Sequence, residues 1–392
     1  MKWLGSKPLY ILLLLTEKPT KWPRWSVGAG ALALAAGIGL VWAREMGDPA
    51  WGWAVSLGLL AFALADWGLL AFLPWWGLSF GAVQPPFLAG TLVRGCLTLI
   101  SMPLAVHWPW PTMIGLALIQ VLLWVLMAYG TLIEPFRVQV TRVEIPTKAS
   151  NPGSPLRIVQ LADLHVERLT QREQALPALV AGLAPDLVVL SGDYLNTSYN
   201  NDPQAVADLC ALLAQFHAAG GVYAIWGTAE VDLPDVLRPV LHELGIVLLE
   251  DEAIEVPVGA HHLWLMGLSC SRDLAADGSR LGALLAQAPP GTFTLLLYHT
   301  PDLMPEAAAL GVDLYLAGHT HGGQWRLPGF GAILTSSHYW KRYEAGHYRE
   351  GKTDLYVSRG LGMEGFGTPR ARFFCPPEVV SVTLSAAEGP TE

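Results

Sequence analysis

Apolar residues run almost without interruption through the first third of the chain, then break into short runs separated by charge. Four apolar segments, 26–43, 51–73, 86–106 and 112–133, are each close to the ~20 residues that an α-helix needs to cross a bilayer. Between residues 26 and 133 the only charged side chains are Arg44, Glu45, Asp48, Asp66 and Arg94. Four such segments, joined by short linkers and lacking polar faces, would leave a soluble protein with nothing to put on its surface. The pattern therefore predicts an all-α transmembrane four-helix region. Twelve of the 16 tryptophans lie in this part, mostly near segment ends, as in an interfacial aromatic belt. The shorter run 8–15 is followed by Glu17, Lys18 and Lys21 rather than by a small-residue cleavage site, and reads as an interfacial stretch.

Basic residues set the expected orientation. Lys2, Lys7, Lys18, Lys21 and Arg24 precede the first segment and Arg137, Arg142 and Lys148 follow the fourth, while the loops between hold only Arg44. Both flanks are expected to be cytoplasmic, which places the rest of the chain on the cytoplasmic side of an inner or plasma membrane. Asp66 and Arg94 are costly inside lipid and should face the bundle interior. Counting 1.5 Å per residue puts both ~12–14 Å from the cytoplasmic side, so each is the expected partner of the other; a polar site for a head group or ion is the other reading. No repeated half or broken helix points to a transporter.

Beyond residue 150 the pattern changes. Short apolar runs at 156–162, 187–191, 222–226, 294–298 and 314–317 alternate with helical stretches and read as buried strands of an α/β domain. This gives two domains, 1–150 and 151–392. The first carries 10 Lys+Arg against 6 Asp+Glu, net +4, and the second 14 against 27, net −13. An acidic domain repels phosphate backbones, which sets nucleic acid aside as a partner. Cys96, Cys210, Cys270 and Cys375 show no short spacing and point to a reducing compartment.

The candidate chemistry lies where the strand-like runs end, the place where ligands gather in α/β sheets. Asp163 and His165 follow the first run, Gly192-Asp193 the second, Gly227 to Glu230 the third, His299 the fourth and Gly318-His319-Thr320-His321 the fifth. A lone strand-end Asp is ordinarily a cap and a lone His is ordinarily hydrogen-bonded, but five strand ends carrying carboxylate and imidazole suit Mn, Fe or Zn. An Asp able to bridge two ions allows a pair ~3.5–4 Å apart, which acidifies water and clamps a phosphoryl group.

These ordered motifs resemble those of the calcineurin-like metallophosphoesterases, over about residues 156–384. Gly322-Gly323-Gln324, residues 356–362 and Cys375-Pro376-Pro377-Glu378 are similar to a bacterial branch with membrane-associated members. The resemblance implies a four-layer αββα sandwich and two divalent ions, one held by Asp163, His165, Asp193 and His321, the other by Asp193, His299 and His319. It also implies hydrolysis of a phosphomonoester, phosphodiester or pyrophosphate by metal-bound hydroxide, with Asp193 and His319 at the centre of the chemistry. The expected substrate is a phosphorylated small molecule or lipid, with Arg370 and Arg372 as phosphate contacts.

One motif departs. The family has Gly-Asn-His-Asp or Gly-Asn-His-Glu where this chain has Gly227-Thr228-Ala229-Glu230. The second ion is thereby one ligand short and is expected to bind more weakly, with Glu230 able to swing in. Ala229 cannot protonate a leaving group, a loss worth ~10²–10⁴ in rate, which favours substrates with acidic leaving groups. His338 is a candidate replacement. The alternative is a catalytically weakened metal-binding module that acts as a regulator at the membrane.

Overall fold

The computed structural model describes residues 15, 17–147, 155–258, 261–365 and 367–386. All but the last residue of the apolar run 8–15, and Lys2, Lys7 and Lys148 of the basic flanks, lie outside these. The chain forms two compact units. The first ends at Ile133 and includes Gly365–Arg370; the second comprises Glu134–Glu364 and the residues from Ala371 onward.

The first unit holds four helices long and apolar enough to cross a membrane: α1 (Arg24–Met46), α2 (Pro49–Phe72), α3 (Gln84–His107) and α4 (Pro109–Leu132). Each begins two or three residues before the apolar segment predicted for it, and α2 and α4 end one residue short of theirs. Asp48 caps α2 through the Ala50 amide at 2.8 Å. Their outward faces carry exposed Leu40, Leu64 and Ile100, each 73% exposed, so the bundle shows apolar side chains where a soluble protein shows charge. Small residues let α1 and α2 touch: a Cβ on Gly52 would sit 2.5 Å from the Gly39 carbonyl.

Inside this bundle Asp66 and Arg94 are paired, as their depth implied. Arg94 Nε and Nη2 donate to the two Asp66 oxygens at 2.8 and 2.9 Å. Arg94 Nη1 donates to Gln120 Oε1 and to the Gln120 carbonyl, both at 2.8 Å. Gln120 in turn reaches the Arg94 carbonyl and Thr98 Oγ1.

The second unit is a four-layer αββα sandwich. One sheet has the order β1 (Gln139–Thr147), β14 (Glu378–Ala386), β2 (Leu156–Leu161), β3 (Leu187–Leu190), β4 (Val222–Ala224), β5 (Val247–Leu248). The other has the order β12 (Gly346–Glu350), β13 (Thr353–Val357), β9 (Leu314–Ala317), β8 (Phe293–Tyr298), β7 (His261–Leu268), β6 (Glu252–Val258). Strands β2 to β5 and β7, β8, β9 and β13 run parallel within their sheets, and β3, β8 and β9, buried at every position, read as unbroken apolar runs because both of their faces are covered. Alternation divides the layers. Ile158, Leu187, Val189, Leu295, Leu297, Leu314 and Leu316 meet between the sheets. Val159, Leu161, Val188 and Leu190 face α5 (Gln171–Gly182), α6 (Pro203–Leu213) and α7 (Pro234–Glu243). Leu296, Tyr298 and Tyr315 face α8 (Leu274–Leu285) and α9 (Met304–Leu310). Gln160 breaks the apolar rule between the sheets: its Nε2 donates to Ser191 Oγ at 2.7 Å and the Ala317 carbonyl at 3.0 Å, while its buried Oε1 has no hydrogen-bond partner among the described residues.

The boundary expected at residue 150 moves to Ile133. Residues 139–147 are strand β1, paired in parallel along its whole length with β14, so they belong to the sandwich. A half-exposed strand with Arg142 and Glu144 on its outer positions lacks the apolar run by which its buried neighbours were read.

Candidate metal centre

The parallel strands deliver their carboxyl ends to one rim. Asp163 and His165 follow β2, Asp193 follows β3, Thr228 follows β4, His299 follows β8, and His319 and His321 follow β9. Five of these residues sit in sharp turns: Asp163, His165, Asp193, His319 and His321 have φ between +42 and +68°, conformations that cost ~1–3 kcal/mol each and that persist when a surrounding site demands them. Two glycines allow the approach. A Cβ on Gly227 would fall 2.3 Å from Asp193 Oδ1, and one on Gly318 would fall 2.6 Å from Asp163 Oδ2.

The result is two triads of donors. Asp163, His165 and His321 offer ligand atoms within 4.8 Å of one another, and so do Asp193, His299 and His319. Asp193 touches both: its Oδ2 lies 3.5 Å from His165 Nε2 and 3.3 Å from His299 Nε2. His165 Nε2 and His321 Nε2 face each other at 3.0 Å. Two buried imidazole nitrogens and two buried carboxylates aimed at common points fit divalent cations, which would satisfy lone pairs that now confront each other.

Supporting contacts hold the donors in place. His299 Nδ1 lies 2.7 Å from the Ser191 carbonyl, which turns Nε2 toward Asp193. The His319 amide donates to both Asp163 oxygens at 2.9 and 3.1 Å. Burial, with the charge of Asp193, pushes the Asp163 carboxyl up to about 6 despite the nearby histidines. Burial alone would raise Asp193 too, but His299, His165 and His319 outweigh it and hold this carboxyl well below the usual range. Burial, then His165 and Arg372, push His321 well below the ordinary imidazole value, which favours the neutral ring that a metal requires.

Not every expected residue joins. Glu230 does not swing in: its carboxylate is 55% exposed and paired with Arg272. Thr228 takes the open position instead. Its hydroxyl lies 3.3 Å from Asp193 Oδ2, 3.4 Å from His299 Nε2 and 3.5 Å from His319 Nδ1, and its amide donates to Asp193 Oδ1 at 2.6 Å. Arg372 is fully buried: its donors go to the Arg359, Gly360, Gly362 and Cys375 carbonyls, and Nη2 also lies 3.5 Å from His321 Nδ1, so it ties loops together behind the donor cluster. Burial lowers it to about 10. Arg370 belongs to the first unit, where Nη1 donates to the Thr368 carbonyl at 3.2 Å. The His338 amide donates to Asp302 Oδ1 and its ring packs against Tyr339.

Asp232 was not anticipated. Its buried carboxylate accepts from the amides of Asp193, Tyr194 and Gly227 at 2.9, 2.9 and 2.7 Å, and so fixes the loops that carry Asp193 and Thr228. Burial, then the charge of Asp193, push it up to about 7 against the pull of those amides. Its only mark in the sequence is a place two residues after Glu230, in a turn closed by the Thr228 carbonyl.

Residues 156–323 match the family model described as calcineurin-like phosphoesterase. The chain is 28% identical over 273 residues to the uncharacterized metallophosphoesterase YkuE of Bacillus subtilis, covering 66% of this chain and 89% of that protein. It is 29% identical to the phosphodiesterase YaeI of Escherichia coli, covering 59% of this chain and 83% of that protein. A transmembrane protein with metallophosphoesterase domain from Bos taurus is also 29% identical, with 63% of this chain and 57% of that protein covered. The second unit thus carries a calcineurin-like phosphoesterase domain, and this domain and its relatives support a hydrolase that acts on phosphate esters.

Proposed function

We propose that this protein is a membrane-anchored, metal-dependent phosphoesterase that favours substrates with acidic leaving groups, such as the nucleotide of a pyrophosphate in a lipid- or nucleotide-linked substrate. The observation that carries it is Asp193, whose Oδ2 stands within 3.5 Å of histidines from both donor triads. Asp163, His165, Asp193 and His321 would hold one ion, and Asp193, His299, His319 and the Thr228 hydroxyl the other. Divalent ions, when bound there, supply Lewis acidity to a phosphoryl group and acidify water. The chain's own part is to orient and to balance charge. Ser191 fixes the His299 ring, the His319 amide fixes Asp163, and the Asp193 carboxylate neutralises both halves of the site. Ala229 offers no proton, so the leaving oxygen must depart as a stable anion.

Anchoring rests on the four apolar helices, and on the basic flanks for a cytoplasmic catalytic unit. A second reading, a regulatory module with one tight ion, is favoured by Thr228 and Ala229 alone. Hydrolysis of bis(p-nitrophenyl) phosphate, an alkyl phosphomonoester and a nucleotide-diphosphate lipid, with and without added Mn²⁺, separates them. Metal-dependent turnover of the first and third is expected; no turnover of any, with one ion retained per chain, would leave the regulatory reading.

A further inference from the structure

The second unit concentrates its exposed apolar side chains in one place. Among the described residues, eight large hydrophobic side chains of this unit are exposed. Six form one surface: Trp325, Leu327, Phe330, Ile333, Trp340 and Phe374, between 38 and 57% exposed. The contacts that join them are local. Strands β10 (Arg326–Leu327) and β11 (Gly331–Ala332) make a small antiparallel hairpin, and the Ile333 amide returns to the Trp325 carbonyl at 3.0 Å. Trp325 pairs with Phe373 through the backbone, with ring centroids 6.4 Å apart, and Phe373 touches Phe374 at 4.6 Å. The Lys341 ammonium sits 3.4 Å over the Phe330 ring, next to Trp340.

This surface grows out of the metal centre. The Gln324 amide donates to the carbonyl of His321, and Arg326 Nη1 donates to the Gly322 carbonyl at 3.1 Å, so the hairpin begins five residues beyond a candidate ligand. Two tryptophans, two phenylalanines and a lysine on an otherwise acidic domain are the composition of an interfacial anchor, in which aromatic rings sit at head-group level and a basic head meets anionic lipid. The chain brings a bilayer within reach. Glu134 follows directly on the last residue of the helical unit, and Phe374 lies four residues after Arg370, which belongs to that unit.

We propose that this hairpin surface dips into the lipid–water interface, and that the metal centre beside it takes phosphoesters whose apolar part remains in the bilayer. The docking stands on the surface itself; the substrate class rests on the phosphoesterase reading above.

The test uses the full chain in vesicles of phosphatidylcholine and phosphatidylglycerol. A nitrobenzoxadiazole probe on Phe330→Cys, in a Cys96→Ser background whose unsubstituted form serves as blank, should be quenched by spin-labelled lipids. Leu327→Glu with Phe330→Glu should lower turnover of a vesicle-embedded nucleotide-diphosphate lipid by about tenfold or more while leaving bis(p-nitrophenyl) phosphate hydrolysis unchanged. A probe not quenched by lipid, whether open to water or covered by a second copy, overturns the docking. Equal loss on both substrates overturns the substrate class. Lipid quenching without hydrolysis of any phosphoester supports the docking and counts against the phosphoesterase reading.

Discussion

Two buried polar clusters occupy the two units, and they are built on opposite terms. In the helical unit Arg94 is closed: its guanidinium meets both oxygens of Asp66 and two of Gln120, so opposite charges cancel. In the sandwich the donors of the metal centre are alike. Two carboxylates and four imidazoles converge, and His165 and His321 present nitrogen to nitrogen at 3.0 Å; the Arg372 guanidinium meets only the other nitrogen of the His321 ring, Nδ1, at 3.5 Å. A cluster that satisfies itself holds helices together; a cluster whose acceptors confront one another is shaped for a cation. The contrast also bears on Asp66 and Arg94, whose closed geometry supports the structural reading over a site for an ion.

The contrast breaks most sharply at Asp193. Asp193→Asn should strip both ions and cut turnover by ~100-fold or more, since even outer-shell losses reach that scale, while thermal unfolding in detergent leaves the helices folded. Retention of two ions would refute its shared role. In the closed cluster the single change Arg94→Met should cost about 3–5 kcal/mol in thermal unfolding, because it strands a buried Asp66, whereas Asp66→Leu with Arg94→Met should recover most of the loss; metal content should stay the same in both. If the double variant fares no better than the single one, the pair is not a self-contained neutral unit.

Thr228 sharpens the comparison from the other side. Thr228→Asn with Ala229→His restores an amide oxygen and a proton donor, and should raise hydrolysis of an alkyl phosphate by about tenfold or more, within the ~10²–10⁴ of a general acid. Substrates with acidic leaving groups should gain little, and a uniform gain would assign the effect to metal occupancy alone. A smaller effect follows from Asp163. Burial pushes its carboxyl up to about 6, and at the His299 ring burial is outweighed by the Asp193 and Asp163 charges, which hold it above the ordinary imidazole range. Protons therefore compete with the ion at both groups, and Mn²⁺ affinity should fall with pH, by roughly tenfold or more per unit below 6, as read by calorimetry; affinity flat to pH 5 would contradict it. The smallest effect belongs to Glu230→Gln. Paired with Arg272 away from the donors, it should leave metal content unchanged, and loss of an ion would show that the carboxylate does reach the site.

Much of this organisation could be read from residues alone, and the exceptions share a cause. Strands β2, β3, β4, β8 and β9 announce themselves because burial on both faces demands unbroken apolar runs. Edge and near-edge strands do not: β1 and β12 alternate exposed and half-buried positions, and β14 carries Ser381 and Thr383 among its valines. The donors Asp163 to His321 were legible because each closes a readable strand. The contacts of Glu230 and Arg372 were not legible because their partners are distant in sequence or belong to the backbone: Arg272 lies 42 residues on, and the carbonyls around Arg372 gather only once the segment 359–362 is folded against it. Asp232 was missed for the same reason, since its role is to receive amides from two separate turns.

The most direct test of the metal centre is calorimetric titration of the chelator-stripped full chain with Mn²⁺. Two equivalents are predicted, the weaker one tightened by Thr228→Asn. A single equivalent that Thr228→Asn leaves untouched would contradict a second site built from Asp193, His299, His319 and Thr228.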